Sequence, residues 1–134
     1  MATILELNAA CKQQHQEVLD KGFDNFHIPT LLMLVTSELG EALEADRKDK
    51  HADIEKFEID RKVWSNGNMS REGREALFKA SFEINIKDTF EDEIADAFLR
   101  LMDLVGAYKI DIEKHIRYKQ IYNRLRPTKH GKKY

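Results

Sequence analysis

Two pairs of acids constrain this chain more than any other feature: Glu93–Asp96, within FEDEIADAFLRLMDLVGAYK, and Glu38–Glu41, within SELGEALEA. Each pair is spaced i, i+3, so on a helix its two carboxylates project from one face, a turn apart. Around Glu38, the residues Leu31, Leu34, Val35, Ala42 and Ala45 make an apolar stripe. At about 100° per residue, Glu38 falls at the centre of that stripe and Glu41 at its edge. A carboxylate aimed into a core needs a partner, because burial without one forces protonation or costs several kcal/mol. Two such pairs on facing helices would bring four carboxylate groups into one small volume, which is unfavourable unless a cation neutralises them. Hard oxygen ligands of this kind suit Mg²⁺ or Mn²⁺, ions that commonly clamp phosphates.

The rest of the chain reads as helix. Residues 3–21 lack Gly and Pro, carry apolar Ile4, Leu5, Ala9, Val18 and Leu19, and stop at Gly22. Phe23, Phe26 and His27 follow in a short loop, as core plugs or as cover for a pocket; His27 has no second ligand at zinc spacing. Pro29 suits the first turn of a second helix running to about residue 49. Residues 50–88 give a helix, a loop around 66–68 and a further helix capped by Ser70, although Asn66-Gly67 would also suit a hairpin between two strands. Trp64 there is a core residue or a stacking platform for a base. The central helix starts near Asp88 or Thr89, with Thr89 and Asp92 as a capping box. Its apolar face is Phe90, Ile94, Ala97, Phe98, Leu101, Leu104 and Val105, flanked by Glu93, Asp96 and Arg100, and Gly106 lies near its end. Asp111 caps a last helix, 112–125, on which Ile112, Ile116, Lys119 and Asn123 share a face with Tyr122 and Arg126 beside it. A Lys there holds phosphate as a point charge and an Asn hydrogen-bonds a sugar or base, unless both are ordinary surface residues.

The fold class expected is therefore all-α, as one domain of 134 residues with 42% hydrophobic and 34% charged composition, 2 Pro and 6 Gly. No apolar run approaches the length of a membrane span and no signal-like segment opens the chain, so no membrane partner and a cytoplasmic location are expected. The single Cys11 supplies neither a disulfide nor a metal cluster and reads as a small helix-packing residue. Eight Lys or Arg and no Asp or Glu follow residue 113, so the formal net charge of −2 hides an acidic body of about −10. An acidic body with a basic last segment fits a polyanion gripped by metal-bound carboxylates and by cations; a solubilising tail over 127–134 is the plainer alternative.

The order Glu38-x-x-Glu41, Glu93-x-x-Asp96, Lys119-x-x-x-Asn123 resembles that of the MazG-like, all-α nucleoside triphosphate pyrophosphohydrolases. The resemblance covers about residues 30–47 and 90–131. It implies a helical bundle, a homodimer or homotetramer, and hydrolysis of a nucleoside triphosphate, a deoxynucleotide by preference, between the α and β phosphates. Glu38, Glu41, Glu93 and Asp96 would then hold Mg²⁺, with Mn²⁺ as a substitute, and Glu38 or Glu41 would serve catalysis. Lys119 and Asn123 would contact the nucleotide, with Tyr122, Arg126 and Arg100 near them. Two features depart from the pattern: Ser37 stands where the family often has a further acid, and residues 50–88 form a long insertion between the acid motifs.

Other classes fit less well. A non-catalytic nucleotide- or metal-binding regulator on the same scaffold is the principal alternative. A ferritin-like di-iron protein wants Glu-x-x-His motifs, which do not occur. His51-Ala52-Asp53 lacks the adjacent His-Asp pair of an HD-type phosphohydrolase. A nucleic-acid binder would account for the basic tail and leave the inward acids unexplained, so nucleic acid is not the expected partner.

Overall fold

The computed structural model describes residues 6–24, 27–65, 67–128 and 132–133. Over these the chain is helical and contains no strand. The elements are α1 (Leu7–Asp20), α2 (Ile28–Arg47), α3 (Ile54–Ser65), α4 (Arg71–Asn85), α5 (Phe90–Ala107) and α6 (Ile112–Leu125). The all-α expectation holds, and helices rather than a hairpin flank Gly67. Ile4, Leu5, Phe26, Asn66 and residues 129–131 and 134 lie outside the described residues. No described helix is long and apolar enough to cross a membrane.

The helix ends follow from local chemistry. Gly22, at φ 89°, closes α1 with the paired bonds of a Schellman motif, Phe23 N–H to Val18 O at 3.3 Å and Gly22 N–H to Leu19 O at 2.9 Å. Ser70 Oγ accepts the N–H of Gly73 at 3.1 Å to start α4, and Asp111 Oδ1 accepts that of Lys114 at 3.3 Å to start α6. At α5, Thr89 Oγ1 accepts the Asp92 N–H at 3.3 Å. The return bond of a capping box is displaced by one residue, because Asp92 Oδ2 accepts from Asp88 N–H at 3.0 Å while Thr89 N–H bonds Ile86 O.

The chain divides into two compact units, residues 1–31 with 99–134, and residues 32–98. In the first, α1 packs on α6 and on the later part of α5. Gly106 makes the approach to α1 possible: a Cβ there would meet the Cys11 carbonyl oxygen at 2.4 Å and His15 Cβ at 2.8 Å. Cys11 is accordingly buried, at 2% exposure. Asn8 clamps the starts of α1 and α6, its N–H donating to Glu113 Oε2 at 2.9 Å and its amide oxygen accepting the Glu113 N–H at 3.2 Å. His15 Nδ1 lies 2.9 Å from the buried carboxylate of Asp103.

In the second unit α3 and α4 pack on each other around Phe57, which meets Phe78, Phe82 and Trp64 edge-on. Trp64 thus belongs to this aromatic cluster. Ser81, buried, donates its hydroxyl to Asp60 Oδ2 at 2.7 Å and ties the two helices. The segment after α2 is fixed to the start of α5: Phe90 N–H bonds Lys50 O at 2.9 Å, and Glu91 accepts from Ala52 N–H at 2.9 Å. The α5 face departs from expectation in part. Ala97, Leu104 and Val105 are buried, whereas Phe98 and Leu101 are 65% and 44% exposed.

Candidate metal centre

The buried stripe of α2 carries Glu38 inward between Leu31 and Ala42, as its spacing predicts, and Glu38 is only 7% exposed. From α5, Glu93 is 6% exposed and Asp96 half-buried. Glu38, Glu93 and Asp96 each offer an oxygen within 4.8 Å of the other two, all inside the unit of residues 32–98. Glu41, one turn along α2, is exposed as a residue yet reaches hydrogen-bonding distance of Glu93. All four acids of the two sequence pairs are therefore in one neighbourhood.

Its electrostatics are unfavourable as it stands. Burial, then the adjoining carboxyls of Glu41 and Glu38, then the charge of Asp96, push the Glu93 carboxyl up to about 7. Glu93 Oε2 is buried and receives no hydrogen bond. Its close neighbours are carboxylates, which only accept when ionised, so a shared proton or a cation must sit among them. Buried acceptors without donors are uncommon in folded proteins. Among hard-ligand ions, Mg²⁺ and Mn²⁺ fit an all-carboxylate donor set of this size, with water completing the shell.

A second trio shares Glu93: Asp88, Asp92 and Glu93 also place one oxygen each within 4.8 Å of one another. Asp92 caps the start of α5, as its spacing from Thr89 predicts, and Asp88 reads from spacing only as a helix boundary. The signal available was the i, i+4 spacing of two acids ending beside Glu93.

The remaining sequence-predicted residues lie in the unit of residues 1–31 and 99–134. Arg100 is exposed, one turn beyond Asp96 on α5. On α6, which has no buried residue, Lys119, Tyr122 and Asn123 are exposed and Arg126 half-buried. Lys119 Nζ lies 5.1 Å from the centre of the Tyr122 ring and the Arg126 guanidinium 5.7 Å from it, so two cations share one aromatic face-pair. Comparison of the chain with family models, with characterised proteins and with solved structures returns no match.

Proposed function

We propose that the chain is a Mg²⁺-dependent nucleoside triphosphate pyrophosphohydrolase of the MazG-like kind, converting a (deoxy)nucleoside triphosphate to the monophosphate and pyrophosphate. The observation that carries this reading is the buried, donor-less Glu93 oxygen among Glu38, Glu41 and Asp96. The bond cleaved is the one the motif resemblance implies.

Glu38, Glu93 and Asp96 would hold Mg²⁺, with Glu41 completing the set. When bound, the ion supplies charge neutralisation and polarisation of the phosphate oxygens and of the attacking water. Either exposed Glu41 or buried Glu38 would orient that water and accept its proton. The motif resemblance implies nucleotide contacts for Lys119 and Asn123, with Tyr122, Arg126 and Arg100 named beside them. The resemblance also implies a homodimer or homotetramer, and Leu32, Met33, Leu39 and Leu43 are exposed on α2.

Phosphorus NMR of the products from a panel of nucleoside triphosphates with Mg²⁺ tests this, wild type beside Glu41→Gln. Monophosphate plus pyrophosphate, lost in the variant, is the expected result. Diphosphate plus orthophosphate overturns the assigned bond, and tight nucleotide binding without turnover replaces the enzyme by a regulator.

A further inference from the structure

The insertion has chemistry of its own. Within the unit of residues 32–98, α4 and the first turns of α5 border an open groove of about 420 Å³. Its apolar wall is Phe78 and Phe82, whose rings are nearly parallel at 13° with centres 6.1 Å apart. Phe57 lies buried against both, with ring centres at 5.1 and 6.0 Å, so the core fixes the orientation of the wall. Its polar wall includes Asp88, Asp92 and Asp96, acids that belong to the two trios around Glu93. Lys79 and Lys87 stand on the rim, neither held in an ion pair among the described residues.

Charge and shape together restrict the occupant. With Glu83 the lining carries four carboxylates and two ammonium groups, so a bare polyanion is repelled and one that arrives with divalent cations is accepted. An aromatic wall beside such a cation-binding edge suits a molecule that is a π-face at one end and a phosphate chain at the other. We propose that this groove seats the nucleoside end of the substrate, its base against Phe78 and Phe82 and its phosphate chain between Lys79, Lys87 and the acids shared with the metal centre. The inference rests on the hydrolase reading above and deepens it: the insertion builds the base seat.

The test uses the full chain with Mg²⁺ and the α,β-imido analogue of dATP, which resists cleavage at the assigned bond, beside inorganic tripolyphosphate. Intermolecular NOEs from ¹³C-labelled phenylalanine to the base protons are expected at Phe78 and Phe82. Calorimetry is expected to show Phe78→Ala weakening the nucleotide analogue about tenfold while leaving tripolyphosphate within about twofold, since stacking on one aromatic side chain is of that size. Lys79→Gln is expected to weaken both ligands. An analogue that binds wild type without NOEs to these rings overturns the base seat and leaves the hydrolase reading standing. Failure of the Mg²⁺-loaded wild type to bind the analogue at all overturns both.

Discussion

Glu91 and Glu93 lie two residues apart on one helix and meet opposite fates. Glu91 accepts the Ala52 N–H and the His51 ring N–H, and backbone hydrogen bonds first, then the histidine, hold its carboxyl below the usual range. Asp46 and Asp49 lie 3.6 and 3.7 Å from the other nitrogen of His51, so that cluster of acids surrounds a donor. Glu93 turns inward toward other carboxyls, its Oε2 receives no hydrogen bond, and its carboxyl is raised to about 7. The number of carboxylates is similar; two donors meet the Glu91 carboxylate, and none meets Glu93 Oε2.

The largest expected contrast is in turnover. Glu93→Gln removes the carboxylate common to both trios and, on the proposed hydrolase reading, should lower Mg²⁺-dependent turnover by about a hundredfold or more, since several kcal/mol of charge stabilisation would depend on the ion. Glu91→Gln should leave it within about threefold. Equal losses measured by product release would break the comparison.

The next contrast is in pH. Glu93, raised above its ordinary 4.5, binds more protons folded than unfolded between about 4.5 and about 7. Stability of the metal-free protein should therefore fall as pH rises through that interval and level off above it. Added Mg²⁺ or Mn²⁺ should reverse the loss at pH 8 and have little effect at pH 5, because its ligands must be deprotonated. In Glu93→Gln both the slope and the metal-induced rise in Tm should diminish. Thermal denaturation across pH, with and without metal, checks all of these.

A smaller effect belongs to His51, whose pKa is raised chiefly by its hydrogen bond to Glu91. Its contribution to stability is fully present below the ordinary 6.5 and is lost as pH rises through the elevated folded value. Glu91→Gln should lower the His51 midpoint in an NMR titration and cost a degree or so in Tm. An unchanged midpoint would mean that Asp46 and Asp49, not Glu91, set the charge of the ring.

Much of the folded chain was legible in the residues. The α2 stripe placed Glu38 inward and Glu41 at the edge, and Ser70 and Asp111 announced their helices because capping is local chemistry. What was hidden depended on tertiary neighbours. The clamp of Asn8 on Glu113 spans most of the chain, whereas Asp88 was within reach of local spacing, two acids at i, i+4 ending beside Glu93. Phe98 and Leu101 belong to an apolar stripe by spacing, yet spacing identifies a stripe without saying what covers it. The aromatic wall of the insertion was unreadable for the same reason: Phe57, Phe78 and Phe82 become one surface only when α3 and α4 pack.

The contact that Gly106 permits also turns the chain's single thiol into a clock. Cys11, covered where α1 meets α5 and with its pKa raised by burial, is shielded from alkylating reagents until that contact parts. The rate at which a slow thiol reagent marks native protein then counts openings of one unit, while the acids of the candidate metal centre lie in the other. Slower marking in the presence of Mg²⁺ would show that an ion held by Glu93 and Asp96 steadies the far end of α5, where Gly106 meets Cys11. An unchanged rate would show that the two units breathe independently.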